Sequence, residues 1–178
     1  MQSELIKKFE AGYKAGVKSV DPNIVVETTY LTTPPDFSGF NSPDKGKEAA
    51  QGQLDKGADI IYSAAGSSGN GAIEAVANKQ GALAIGVDSD QASQPALAKY
   101  KNSILTSMVK NVDNAVYAYI DSVKKGNAFT GIKLFDLKAD GVSLATTGGK
   151  IDDIQDKLKA AGDAIKSGAT TIPTAPVQ

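Results

Sequence analysis

The apolar residues of this chain switch repeatedly between helical and strand-like spacing, and glycine or proline stands at most of the joints. Leu5, Phe9 and Tyr13 recur at helical spacing within residues 3–18, whereas residues 24–30 form a β-branched run typical of a strand. Strands that alternate with helices over short connections favour a parallel sheet with helices on both faces. We therefore expect a three-layer α/β/α domain with a mostly parallel sheet.

The same patterns predict the remaining elements. Further helices are predicted at residues 43–55, 72–79, 112–123 and 150–166. Further strands are predicted at residues 59–63, 82–87, 103–106, 132–137, 142–145 and 170–172. Ligands bind to such sheets outside the carboxyl ends of the strands. The segments that follow predicted strands are therefore where a site is expected, namely residues 31–42, 64–71, 88–94 and 107–111.

Three residue types that carry much of enzyme chemistry are missing, because the chain contains no Cys, His or Arg. Their absence excludes a thiol or imidazole nucleophile, a Ser-His-Asp triad and the usual zinc sites. Nineteen lysines stand against 20 acidic residues, for a net charge of −1, so no basic field for nucleic acid is expected. No apolar run is long enough to span a membrane. We predict that the protein is not an enzyme and uses neither a cofactor nor a metal.

A Gly/Ser segment stands between a predicted strand and a predicted helix, and it begins with Gly66, Ser67, Ser68 and Gly69. Its backbone N–H groups and hydroxyls are of the kind that bind a polar ligand group at a helix N-terminus. The same composition is typical of a helix cap or a flexible turn. The glycine spacing fits neither a Walker A loop nor a dinucleotide fingerprint. Both interpretations stay open at this point.

Three other candidates follow predicted strands. Asp88 could accept hydrogen bonds from sugar hydroxyls, or bind a divalent ion together with Asp90, or simply close a turn. Phe40, with Phe37 in the same loop, suits either stacking on a ligand or pinning the loop. Lys110 could donate to a ligand, although most lysines are solvated surface charges.

Five stretches share their order and spacing with one known family: KFEAGYKAGV, GFNSPDKGKE, AAGSSGNG, AIGVDSDQ and TSMVK, at residues 8–17, 39–48, 64–71, 84–91 and 106–110. They resemble the basic membrane protein family of substrate-binding proteins, the purine-nucleoside receptors of ABC transporters. The resemblance implies a lobe of a type I periplasmic-binding, flavodoxin-like fold. Such receptors clamp a nucleoside between two lobes and pass it to a membrane permease.

The resemblance also implies roles for particular residues. Phe40 would stack on the base, Asp88 and Lys110 would hold the ribose hydroxyls, and the Gly66 to Gly69 backbone with Ser67 or Ser68 would line the floor. The family more often has Gly-Gly-Thr-Gly where this chain has Gly-Ser-Ser-Gly at 66–69. It usually has Phe-X-Asp-Pro where this chain has Phe-Asn-Ser-Pro at 40–43, a change that removes one acid.

The resemblance covers only the second lobe of the receptor. We therefore expect a single lobe over residues 1–172, a frayed tail at 173–178, and a crossover segment at 110–131 that would pack on the missing lobe. The parent protein would be an extracytoplasmic lipoprotein, periplasmic or on the cell surface, although this chain shows no signal or anchor. The isolated lobe should bind nucleosides weakly or not at all, because ligand sites normally bury 70–90% of the ligand.

The crossover helix would lose its partner in an isolated lobe. Its apolar stripe consists of Val112, Val116, Ile120 and Val123. We predict that this stripe packs back on the lobe's own sheet or forms a homodimer by segment exchange.

Two other functions stay open. One is a glycosyltransferase-like lobe that uses Asp88 and Asp90 with a divalent metal, and the other is a flavodoxin-like scaffold without a ligand. The lack of Arg and His argues against the enzyme, because a phosphate leaving group needs cationic stabilisation.

Overall fold

A four-stranded sheet organises the chain in the computed structural model, which describes residues 1–176. The strands are β1 (Ile60–Tyr62), β2 (Leu83–Asp88), β3 (Ile104–Lys110) and β4 (Val142–Leu144). Their spatial order is β1-β2-β3-β4; the first three are parallel, and β4 pairs with β3 in the antiparallel direction. The predicted α/β class with a mostly parallel sheet is confirmed.

The α-helices of the described chain are α1 (Glu4–Val20), α2 (Pro43–Asp55), α3 (Ser68–Ala77), α4 (Val112–Lys124) and α5 (Gln155–Ser167). Short 3-10 helices lie at Phe37–Phe40, Gln91–Ser93, Pro95–Ser103 and Asp152–Ile154. Helix α3 begins at Ser68, four residues earlier than predicted, so the second half of the Gly/Ser segment forms its first turn. Helix α5 begins later than predicted, because residues 152–154 form a 3-10 turn.

The main core lies between one face of the sheet and helices α2 and α3. Ile61 and Ile104 of the sheet are buried in one cluster with Leu54 of α2 and Ile73 of α3. Helices α2 and α3 approach so closely that a side chain at Gly71 would overlap the carbonyl oxygen of Pro43. Glycine at position 71 therefore brings the start of α2, and the loop before it, against the start of α3.

Helix α1 packs against the opposite face of the sheet. Side chains alternate between the two faces along a strand, so Tyr62 points away from the face that buries Ile61. The rings of Tyr13 in α1 and Tyr62 lie 5.0 Å apart, centroid to centroid. Leu83, Ile85 and Leu105 are only partly buried. The opposite face is thus covered less completely than the α2 and α3 face.

Residues 24–30 do not join the sheet, so the strand predicted there is wrong. Residues 24–31 instead line a cavity of about 530 Å³ together with residues 58–65 and parts of α1 and α2. A β-branched run favours an extended backbone, but a strand also needs hydrogen-bonding partners, and the sheet ends at β1.

The strands predicted at residues 132–137 and 170–172 are also wrong. Ile132 and Leu134 are exposed, so this apolar run is not buried as a strand of a sheet would be. The backbone there closes a turn instead, in which Gly141 N–H donates to the Asp136 carbonyl at 2.8 Å. Near the C-terminus, Thr170 N–H donates to the Ala164 carbonyl at 3.0 Å and closes the end of α5.

Helix α4 does not pack on the sheet, so the predicted self-packing is wrong within one copy of the chain. No residue of α4 is buried, and the four residues of its apolar stripe are 51–61% exposed. Of the predicted frayed tail, residues 173–176 contain neither helix nor strand, while Val177 and Gln178 lie outside the described residues.

Candidate functional site

The parallel strands bring the candidate residues to one edge of the sheet. Gly66 follows β1, Asp88 ends β2 and Lys110 ends β3. Because these three strands run in the same direction, their carboxyl ends meet at one edge. The register pairs Asp88 with Val109, directly beside Lys110.

Asp88 and Lys110 form an ion pair at this edge, with 2.8 Å between Lys110 Nζ and Asp88 Oδ1. The side chain of Lys110 is 40% exposed and that of Asp88 is 48% exposed, so a ligand can reach both charged groups. The backbone of Asp88 has φ +71°, a left-handed conformation that non-glycine residues rarely adopt. Such strained residues cluster at binding sites, where the surrounding structure holds them.

The loop that carries Phe40 is fixed to the start of α3 by serine hydroxyls. Ser67 Oγ donates to the Phe40 carbonyl at 3.2 Å, and it lies 2.7 Å from Asn41 Oδ1. Ser68 Oγ donates to the Gly39 carbonyl and accepts from the Ser42 N–H, both at 2.8 Å. These bonds position Phe40, whose side chain is partly exposed, beside the Gly/Ser segment.

The residues of the Gly/Ser segment differ in their access to a ligand. Ser68 is fully buried and its hydroxyl is used within the protein, whereas Ser67 is exposed. Gly66 has φ +56°, and its backbone passes so close to the Phe40 carbonyl that a side chain at position 66 would overlap it. Gly69 is buried against Ser63. Ser67 and Gly66 therefore face the edge of the sheet, while Ser68 and Gly69 support it from within.

Gln91 joins the two parts of the site, and the sequence reasoning missed it. Its Oε1 accepts from the Val87 N–H at 3.0 Å, its backbone N–H donates to Ser107 Oγ at 3.1 Å, and its Nε2 donates to Asn70 Oδ1 at 3.2 Å. The side chain is 4% exposed. Gln91 thus ties the ends of β2 and β3 to α3. A single glutamine shortly after a strand forms no sequence pattern, so this role could not be predicted.

Asp90 holds the loop that follows β4. Its Oδ2 accepts from Ser93 Oγ at 2.6 Å and from Thr147 Oγ1 at 2.5 Å. Burial raises the pKa of this carboxyl, but the hydrogen bonds from these two hydroxyls and from the backbone N–H groups of Ala92 and Ser93 together outweigh that effect and lower the pKa. Asp88 and Asp90 are therefore engaged by different partners. Residues 1–176 contain no group of three acidic, His or Cys side chains placed to bind a metal ion.

An α/β domain with polar groups gathered at the carboxyl edge of a parallel sheet has the architecture of a ligand-binding lobe. The comparisons with known proteins agree with this class. Residues 1–174 match the family described as "ABC transporter substrate-binding protein PnrA-like". The chain belongs to this family, which confirms the resemblance found in the sequence. No helix within residues 1–176 is long and apolar enough to cross a membrane.

The chain is also similar to individual members. It is 33% identical over 98% of its length to the ABC transporter nucleoside-binding protein BmpA of Lactococcus lactis, and 31% identical over 99% to the CD4+ T-cell-stimulating antigen of Listeria monocytogenes. In both cases the chain covers 51% of the relative. The chain thus spans about half the length of the curated relatives it matches.

Two solved structures have the same fold. An ABC transporter solute-binding protein of Conexibacter woesei superposes with a TM-score of 0.73 at 25% identity, covering 97% of this chain and 54% of that one. A solute-binding protein of Aeropyrum pernix has a TM-score of 0.73 at 24% identity, covering 100% of this chain and 56% of that one. The relatives are transport proteins that bind substrates rather than enzymes.

Proposed function

We propose that the chain is one half of the solute-binding component of an ABC importer, and that it contributes one wall of a cleft for purine nucleosides. The observation that carries this proposal is the half-exposed pair of Asp88 and Lys110 at the carboxyl edge of the sheet. Family membership supports the transport role, and the name of the Lactococcus relative supports a nucleoside as the ligand.

The chemistry of the wall suits a nucleoside. A carboxylate can accept hydrogen bonds from two neighbouring hydroxyls, and an ammonium group donates to their oxygens, so Asp88 and Lys110 suit a ribose diol. The ring of Phe40 offers an apolar face for a base. The exposed hydroxyl of Ser67 and the backbone of Gly66 add polar contacts at the start of α3. Binding of this kind forms and breaks no covalent bond.

One wall encloses too little of a ligand for tight binding, since ligand sites normally bury 70–90% of the ligand surface. The relatives contain about as many residues again as this chain aligns with. We propose that this other half supplies the opposing wall and that the segment 110–131 crosses to it. The parent protein would then act outside the cytoplasm as a lipoprotein and deliver the nucleoside to a permease.

The exposed stripe of α4 fits the same arrangement. Val112, Val116, Ile120 and Val123 form an apolar face on a helix with no buried residue, and faces of this kind mark association surfaces. The other half of the receptor would cover this face. In the isolated chain we propose that a second copy covers it by segment exchange, because exchange restores burial with few new contacts.

Thermal shift measurements test the proposed ligand. Adenosine, inosine and guanosine would be compared with UDP-sugars plus Mn²⁺, using both the chain and a fusion that joins it to the half of the Lactococcus relative with which it does not align. A ligand at 100 times its Kd stabilises a protein by about 2.7 kcal/mol. We expect a nucleoside to stabilise the fusion by about that amount and to stabilise the chain alone little or not at all. A shift only with UDP-sugar and Mn²⁺ would contradict the proposal.

A matched pair of variants then tests the wall. Phe37 and Phe40 lie in the same 3-10 turn, but Phe37 is 65% exposed and makes no hydrogen bond to the Gly/Ser segment. Phe40→Ala in the fusion should weaken nucleoside binding, whereas Phe37→Ala should not. Equal effects of the two substitutions would show that Phe40 has no special role.

A further inference from the structure

An aromatic surface on α1 lies next to the Asp88–Lys110 pair. The Nζ atom of Lys110 is 5.2 Å from the centroid of the Phe9 ring, within the range of a cation–π contact. One turn further along α1, Tyr13 contacts Tyr62 with ring centroids 5.0 Å apart. Burial raises the pKa of the Tyr62 hydroxyl, and the nearby charge of Asp88 adds to the effect. Helix α1 therefore contacts the ion pair through Phe9, whose ring lies against Lys110.

We infer that Phe9 is a positioning residue that holds the ammonium group of Lys110 beside Asp88. A lysine side chain has a flexible four-carbon stem and a strongly hydrated charge, so a half-exposed ion pair alone restrains it weakly. The ring of Phe9 supplies a second attraction from the side of α1. Phe9 itself carries no group that could bind a ribose hydroxyl, so its effect on a ligand must pass through Lys110.

This inference rests on the proposed function for its consequence, but the contact itself can be tested in the isolated chain by NMR. An aromatic ring moves the signals of protons above its face upfield. The Hε protons of Lys110, assigned by their loss in Lys110→Gln, should lie upfield of those of the other lysines. Phe9→Leu, which keeps an apolar side chain, should return them to the ordinary position. Tyr13→Leu, which removes the neighbouring aromatic residue of α1, should leave them upfield.

The functional consequence is tested in the two-lobed fusion with a pair of ligands. Phe9→Leu should weaken binding of a nucleoside by about two- to fivefold, the effect of losing an exposed cation–π contact. A 2′,3′-dideoxynucleoside lacks the two ribose hydroxyls that Lys110 would hold, so its affinity should not change. A purely structural defect would weaken both ligands alike.

The outcomes separate the inference from the proposed function. If the Hε protons of Lys110 lie at the ordinary position in the parent chain, or do not respond to Phe9→Leu, the contact is absent and the inference is wrong. It is also wrong if Phe9→Leu changes the affinities of the two ligands equally or not at all. If the fusion binds no nucleoside while the NMR result is as expected, the proposed ligand fails and the role of Phe9 in placing Lys110 stands.

Discussion

The left-handed backbone of Asp88 predicts that an aspartate at this position lowers the stability of the fold. The ion pair with Lys110 joins half-exposed groups and contributes about 0.2–1 kcal/mol. A φ of +71° costs a residue such as alanine about 1–2 kcal/mol, costs aspartate less because its side chain can hydrogen-bond locally, and is adopted freely by glycine. Asp88→Gly and Asp88→Ala both remove the ion pair, but only Asp88→Gly relieves the backbone.

The difference between the two variants therefore isolates the backbone strain. After subtracting the about 0.5–1 kcal/mol that the greater freedom of glycine in the unfolded chain costs, we expect Asp88→Gly to be more stable than Asp88→Ala by about 1 kcal/mol. The ion pair lost from both variants offsets much of the gain, so Asp88→Gly should lie within about 1 kcal/mol of the parent chain. Both variants should bind a nucleoside at least tenfold more weakly in the fusion, since each lacks the carboxylate.

Urea unfolding at neutral pH measures these differences. With an m-value of about 2 kcal/mol per molar, the midpoints of the Gly and Ala variants should differ by about 0.5 M. The m-values must agree, since a change in m would indicate an altered denatured or native state. An Asp88→Ala variant as stable as Asp88→Gly, or more stable, would refute the argument that the backbone of Asp88 is strained.

Other predictions follow from the packing and the charges. Ile120→Asp should convert the isolated chain from a dimer to a monomer in light scattering, and a parent chain that is already a monomer with rapidly exchanging α4 amides would contradict the proposed association. Gly71→Ala should lower the melting temperature by about 4–8 °C, because the new side chain would overlap the Pro43 carbonyl. Gly52→Ala should not lower it, because the space around Gly52 is open. Equal effects of the two substitutions would contradict the close packing of α2 and α3. Burial raises the pKa of Glu10, but hydrogen bonds from Lys14, Tyr30 and Thr28 outweigh that effect and hold the pKa below the ordinary value for a glutamate. The stabilising effect of Glu10 is therefore complete above the ordinary pKa and is lost as the pH falls through the lowered pKa. The unfolding free energies of the parent chain and Glu10→Gln should therefore differ at neutral pH and converge in acid, and a difference independent of pH would be contrary to this linkage.

The elements that could be predicted from the sequence are those that depend on residues close to them in the chain. Pro43 after a serine indicates the start of α2, and an apolar run that ends in Asp88 indicates β2. Residues 24–30 have an equally clear strand composition but no hydrogen-bonded neighbour in the sheet, and pairing is a property of two segments. Helix α4 was predicted correctly, but its surroundings were not, because an apolar stripe does not say what covers it.

The site divides in the same way. Asp88 and Lys110 could be proposed from their positions after strands, and the structure joins them in one ion pair. The burial of Ser68 could not be predicted, because Ser67 and Ser68 are the same residue type and differ only in their position relative to the start of α3. The roles of Gln91 and Phe9 could not be predicted, because each depends on contacts with residues far away in the chain.

We propose that this chain forms one wall of a nucleoside cleft and that a second half closes it. Isothermal titration calorimetry of inosine into the chain and into the two-lobed fusion tests it most directly, with Asp88→Asn as the variant that removes one charge of the wall. We expect saturable binding by the fusion and little heat with the chain alone. The Asp88→Asn fusion should bind at least tenfold more weakly, because charge-assisted hydrogen bonds are worth about 1.5–3 kcal/mol. Binding to the isolated chain as tight as to the fusion, or full affinity in the Asp88→Asn fusion, would contradict it.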